Sequence, residues 1–340
     1  MKRSGCAALG CAGALVAVLA GLYQGAVSPG ASSDASDDYQ RSDSLNQFRR
    51  DEAGGRFRLS YGFTDHHGRG QRVTCTIDKQ DYDRDVASFG YFEDERDRTL
   101  NERLRERIER RGRELGVLSF FEIEVYGQTS YKWRWRTPDG LDPEVKSRVE
   151  SFGQWLDKEL PRETEGMIAQ YLQERGLRLQ KDLISIDYRQ VILRDTGPLS
   201  DCFRALREAG NGDSERRRLG LFLAFFQELR YELPPEIDGG RHTLGFRVPS
   251  AVLAQGAGDC DSKAAAFCTL WRHFPQQVIL ILVPEHALVG VEGKPRADEA
   301  YVRLGNRYFV LCEVAGPGKI PPGGHAISGS FEYVLIEPMR

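Results

Sequence analysis

The sequence predicts an α+β fold, and three observations carry that reading. Leu100–Leu115 places Leu104, Ile108 and Leu115 on one side of a strongly charged helix. Arg56–Phe63 alternates polar and apolar residues, turns through Asp65-His66-His67-Gly68-Arg69-Gly70 and returns through Val73–Ile77, as an antiparallel hairpin does. Val278–Val283 is a continuous apolar run with the length and branching of a buried strand.

The chain has 340 residues, enough for one large or two modest domains with a sizeable core. A net charge of −3 gives no bulk attraction to nucleic acid. The expected division is 1–26 as a signal peptide or membrane anchor and 27–50 as a flexible linker. An α+β domain of unknown role over 51–209 and a second domain over 210–340 follow. Lys2 and Arg3 precede an almost uncharged apolar run from Cys6 to Tyr23, which is the pattern of an export segment. Whether cleaved or retained as an anchor, it puts the body of the protein outside the cytoplasm. The Ser-, Asp-, Gly- and Ala-rich stretch after it reads as a solvated linker.

Seven cysteines are present, two of them in the export segment. The odd remainder, Cys75, Cys202, Cys260, Cys268 and Cys312, leaves at least one thiol free unless it pairs between molecules. With Cys260 free, the other four allow three pairings, or none.

In the first domain, Val117–Val125 reads as a strand. Tyr131-Lys132-Trp133-Arg134-Trp135-Arg136 reads as another, with three aromatics on one face and three cations on the other. The aromatics are expected in the core; the cations are a remote option for a polyanion. His66 and His67 are adjacent and would face opposite ways on a strand, so a metal site there is not expected. Helices are expected over Pro143–Leu160, Glu163–Gly176 and Leu199–Ala209. Ile184–Tyr188 with Val191–Leu193 reads as a strand.

The second domain carries the chemistry. Glu215–Arg230 is a helix with Leu219, Phe222, Leu223 and Phe226 at helical spacing. Gly256-Ala257-Gly258-Asp259-Cys260 is a glycine turn with Asp259 as N-cap, opening a helix that runs to Trp271. Cys260 falls in its first turn, where the helix dipole favours a thiolate. After Val278–Val283 come strands at His286–Val291 and Tyr308–Glu313. Pairing them with Val291 opposite Tyr308 sets His286 opposite Glu313. A thiol, an imidazole and a carboxylate then form a nucleophile, its base and the base's orienter.

These residues resemble the transglutaminase-like superfamily, in its bacterial cysteine-protease-like branch. The likeness lies in Phe225-Phe226-Gln227-x-x-x-Tyr231, Gly256-x-Gly258-Asp259-Cys260-x-x-Lys263-Ala264 and His286-Ala287-x-Val289-x-Val291, followed by a strand ending in an acid. It spans Leu219 to Gly318, under a third of the chain. The resemblance implies a papain-like core, with a cysteine helix packed on an antiparallel sheet that bears histidine and acid. It makes Cys260 the nucleophile, His286 the base and Glu313 the third member, where the family usually has Asp. The oxyanion hole would use backbone N–H groups at the helix start, with Gln227 as a candidate side-chain donor. Asp259 and Lys263 read as cap and surface partner.

The expected function is exported thiol acyl transfer on peptide or side-chain amides. Hydrolysis is favoured because no amine site is evident, and the reading calls for no cofactor or metal. The partners are a protein or peptide substrate and, through the N-terminal segment, a membrane. The rival is a non-catalytic scaffold that keeps the papain-like core. A polyanion binder through Lys132, Arg134 and Arg136 comes third.

Overall fold

The computed structural model describes residues 4–7, 47–136, 140–181, 183–316 and 318–339. The expected export segment and linker lie outside these residues, apart from 4–7 and 47–50. Ser4–Ala7 is a strand paired with Ser130–Trp135, and 47–50 open another strand, Gln47–Ala53. The fold is α+β. Among the described residues no helix is long and apolar enough to cross a membrane.

The chain forms two compact units, and neither follows the expected cut after residue 209. One unit holds Gly90–Ile186 with Ile237–His242. That unit also takes Ser4–Ala7; the other holds 47–89, then Asp187–Glu236, and then the described residues from Thr243 onward. The N-terminal hairpin therefore belongs with the cysteine helix.

In the first unit, helices Glu93–Leu115, Pro143–Lys158 and Leu160–Glu174 accompany antiparallel strands Phe121–Tyr126 and Ser130–Trp135. Tyr131 and Trp133 enter its core beside Leu104, Ile108, Phe152 and Trp155, as strand alternation requires. The opposite face is not a free cationic stripe. Glu122 and Glu124 stand across from Arg134 and Lys132, and ion pairs join Lys132 to Glu124 at 2.6 Å and Arg136 to Glu122 at 2.6 Å.

One expected strand is half helix. Leu183–Ile186 is extended, but Asp187 then accepts the Gln190 N–H at 3.0 Å and caps a helix over Tyr188–Asp195. The cap overrides the β-branched run, and Val191 and Ile192 are buried as helix residues.

The second unit contains two antiparallel sheets. Gln47–Ala53, Arg56–Thr64 and Gly70–Asp78 form the first. Tyr61 and Phe63 set their rings edge-on to Phe225 of the helix Glu215–Glu228, and the Tyr61 hydroxyl donates to Leu253 O at 2.7 Å. A disulfide joins Cys75 to Cys202, with Cα atoms 4.9 Å apart. Cys268 and Cys312 remain free and buried, so the four cysteines form one bridge, neither two nor none.

The second sheet has five strands, in the order Tyr301–Leu304, Arg307–Cys312, His286–Glu292, Val278–Val283, Glu332–Ile336. Its first and last strands were not legible as strands in the sequence. The helix Cys260–Trp271 packs on this sheet and is buried on all sides after its first turn, because Ala264, Ala265 and Ala266 let neighbours approach closely. The expected strand pairing is present, but the register differs. Val291 faces Val310, not Tyr308. A shift of two residues keeps every side chain on its face, so His286 and Glu313 still share one.

Candidate functional site

Gly256 ends the helix Pro249–Gln255 in the left-handed region at φ 61°, and a Cβ there would stand 2.6 Å from Phe48 Cγ. Only glycine fits both demands. The chain then runs beside Arg230–Tyr231 in a short parallel pair and enters the cysteine helix. Asp259 caps it as expected, accepting the Ser262 N–H at 3.3 Å.

Cys260 is partly exposed, and its thiol lies close enough to the His286 ring to act on that ring's pKa. His286 Nε2 donates to Glu313 Oε2 at 2.6 Å, which leaves Nδ1 for the thiol. Glu313 Oε1 accepts the Ala315 N–H at 2.8 Å. The three residues singled out in the sequence thus stand in one line, the thiol beside the ring and the ring bonded to the carboxylate. The histidine side chain is 31% exposed and the glutamate 8%, so the line opens to solvent at the thiol end and is anchored at the other.

The Cys260 thiol and then the hydrogen bond to Glu313 raise His286 to a pKa of about 10, against the opposing effect of burial. Burial works to raise the Glu313 carboxyl, but His286 and the Ala315 N–H outweigh it and hold the group below its ordinary range. The pair is therefore imidazolium and carboxylate at neutral pH.

Gln227 does not have the role expected of it, nor does it lie on the exposed side of its helix. It is 5% exposed. Its amide nitrogen donates to Glu313 O at 2.7 Å and Ile320 O at 2.8 Å, so both N–H bonds are spent on main-chain carbonyls. Its Oε1 accepts from His66 Nε2 at 3.1 Å. Gln227 is a brace between the N-terminal hairpin and the backbone of Glu313. Gly316 makes room for it: a Cβ there would lie 2.5 Å from Gln227 O.

Tyr231, part of the family-like motif but without an expected role, lies beside Cys260. Burial, and then the negative charge of Cys260 and Asp259, raises its pKa. Lys263 was expected at the surface and is wholly buried. The signal was present in the sequence, since a lysine followed by three alanines in a helix without a polar face has nowhere exposed to go. Its Nζ donates to Leu229 O at 2.5 Å and Ala315 O at 2.6 Å.

Two carboxyls flank the thiol. Asp261 accepts from the Tyr188 hydroxyl at 2.7 Å. Burial and the Asp259 charge push Asp261 up to about 8, so it keeps its proton at neutral pH. Among the described residues no group of three His, Cys, Asp or Glu is placed to hold a metal ion. His325 stands beside the site, its ring 6.3 Å from that of His286.

No protein-family model, curated protein or solved structure matches this chain.

Proposed function

We propose that this protein is an exported thiol acyl-transfer enzyme with a transglutaminase-like, papain-like core, hydrolysing peptide or side-chain amides. The observation that carries the reading is the His286–Glu313 hydrogen bond at 2.6 Å with the Cys260 thiol beside the ring. A thiolate paired with an imidazolium is a nucleophile at neutral pH, and the buried carboxylate fixes the ring's tautomer and orientation. A cysteine helix on an antiparallel sheet, with histidine and acid on neighbouring strands, is the arrangement that the family resemblance implies.

In the first step Cys260 Sγ bonds to the amide carbon and the carbonyl π pair moves to oxygen. The Tyr231 hydroxyl, near the sulfur, is the side-chain donor we assign to that oxyanion. As the intermediate collapses, the C–N bond breaks and the leaving amine takes the His286 proton, leaving a thioester. Water then attacks, with His286 accepting its proton. The C–S bond breaks to give the acid and the restored ion pair. The substrate is a protein or peptide outside the cytoplasm. The Cys75–Cys202 disulfide supports an oxidising compartment.

The test compares wild type with Cys260→Ala on a mixture of extracellular proteins, read by mass spectrometry for new termini and for deamidated glutamine or asparagine. Wild type is expected to produce one class of product and Cys260→Ala none. The variant's stability should change by less than about 1 kcal/mol, since the thiol is partly exposed. Turnover that persists in Cys260→Ala would sink the reading. So would iodoacetamide labelling of wild-type Cys260 that follows an ordinary thiol's pH curve.

A further inference from the structure

Lys263 sits one turn after Cys260 with no exposed surface. Two effects oppose its presence there. Burying an ammonium costs several kcal/mol unless its donors are met. A cation near the start of a helix also meets the positive end of the helix dipole. An apolar residue of the same length would pack without either cost.

The ammonium's partners show what offsets them. Both are main-chain carbonyls. Leu229 O at 2.5 Å lies two residues before Tyr231, and Ala315 O at 2.6 Å lies two residues after Glu313. One side chain on the cysteine helix thus ties down the segment carrying Tyr231 and the segment carrying the histidine's carboxylate. The Tyr231 ring also lies 5.8 Å from Nζ. We propose that Lys263 is a positioning residue of the thiol site: its ammonium fixes the Tyr231 and Glu313 segments against the Cys260 helix and stabilises the thiolate by its charge. The proposal rests on the reading of Cys260 as a nucleophile.

The charged surroundings agree. Burial lowers Lys263 to about 8, while Glu313, Asp259, Cys260 and Glu228 all act to raise it. Glu313 is already paired with His286, and Glu228 with Lys319 at 3.7 Å. Cys260 is the group among these that the proposed chemistry ionises, one turn before Lys263 on the same helix. Lys263 stays charged up to about pH 8 and becomes neutral above it.

The experiment measures Cys260 alkylation by iodoacetamide against pH in wild type and Lys263→Met, with circular dichroism and thermal melting as checks on the fold. Lys263→Met is expected to lower the rate at about pH 6 by roughly tenfold and to move the curve about one unit upward, the effect of losing one nearby cation. A purely structural lysine would lower the melting temperature and leave that curve in place. A Lys263→Met curve that overlays a fast wild-type curve overturns the proposal and leaves the thiol-site reading standing. A wild-type curve like that of a free thiol removes both.

If Lys263→Met does not fold, wild type alone decides. Carbon-13 NMR of ε-labelled lysine should show one midpoint near 8, apart from the ordinary lysines at about 10.4. Carbamidomethylation of Cys260 removes the thiolate and, by reciprocity, must lower that midpoint. An unmoved midpoint overturns the proposal.

Discussion

The two units of this protein use charge in opposite ways. In the first unit, charged residues pair with one another at the surface, as Lys132 does with Glu124 and Arg107 with Glu163. Its interior is aromatic and aliphatic. In the second unit, charged and polar groups are buried and spend their hydrogen bonds on backbone or on each other. Lys263 holds two carbonyls, Gln227 holds two more, and Asp85 accepts from the Ser250 hydroxyl. Exposed pairs contribute little and tolerate loss; buried networks specify one geometry and fail when any member is removed. Only the second arrangement can hold a thiol, an imidazole and a carboxylate in line.

The sharpest way to break this contrast is to cut the covalent tie of the second unit. Cys75–Cys202 spans a sequence separation of 127 and is reinforced by Asp201, which accepts from Thr76 N at 2.7 Å and Thr76 Oγ1 at 2.8 Å. Replacing both cysteines with alanine is expected to cost about 2–5 kcal/mol, read by urea unfolding. The loss should reach the site. The hairpin carries His66, His66 holds Gln227, and Gln227 holds the Glu313 carbonyl. Undiminished stability in the double variant would mean that the hairpin's packing on Phe225 suffices.

Next in size is the histidine's anchor. Glu313→Gln keeps the shape but removes the charge that faces the imidazolium, and turnover should fall by at least about tenfold. The pH profile carries more information. Because His286 is raised to about 10, the imidazolium and the stability it contributes are complete below about 6.5. They are lost as pH rises through 10. In Glu313→Gln that loss should move to lower pH, measured as the decline in Cys260 alkylation relative to a free-thiol standard. An unshifted profile would assign the imidazolium's stability to Cys260 alone.

How much of this could be read from residues follows the same division. Cys260, His286 and Glu313 were legible because each sits at a punctuated place: a glycine turn with an Asp cap, a strand start after Pro284-Glu285, and a strand end. The pairing survived a register error because the error was even. The buried polar braces were harder to read. Periodicity tells which face is apolar, and it treats Gln227 and Lys263 as surface by residue type. For Lys263 the apolar helix around it was the contrary signal; for Gln227 only the packing of the N-terminal hairpin and the loop after Glu313 makes the position interior. The unit boundary was hidden for a related reason, since a discontinuous unit is set by contacts such as Tyr61 with Leu253, which no local pattern announces.

A smaller effect probes the buried acids. Asp195 is fully buried, and burial together with the Asp85 charge holds its carboxyl well above the usual range. A folded carboxyl that keeps its proton loses stability as pH rises above the unfolded value of about 3.9. Asp195→Asn supplies that hydrogen permanently and keeps an oxygen for the Ser250 N–H, now at 3.0 Å. The variant's advantage over wild type should widen between pH 5 and 8, judged from melting at both. A gap that narrows with pH would show that Arg194, 3.0 Å from Asp85, already neutralises the pair.

The smallest effect is expected on the paired face of the first unit. Arg134 and Arg136 share Glu122, at 3.6 and 2.6 Å, with side chains 72% and 81% exposed. At such exposure water screens each charge almost as well as its partner does, and fixing two long side chains costs entropy that offsets the gain. Alanine at Lys132, Arg134 or Arg136 should therefore leave the melting temperature within experimental scatter. About 0.5 M salt should abolish any difference seen at low salt. The aromatics of the same strand give the internal control. Trp133→Ala removes a ring packed against Phe121, and its indole N–H to Asp157, from the same six-residue strand. That change should cost about 3–5 kcal/mol. If the cationic variants approached that cost, the outer face would be holding the unit together, and the contrast between a paired surface and a braced interior would not stand.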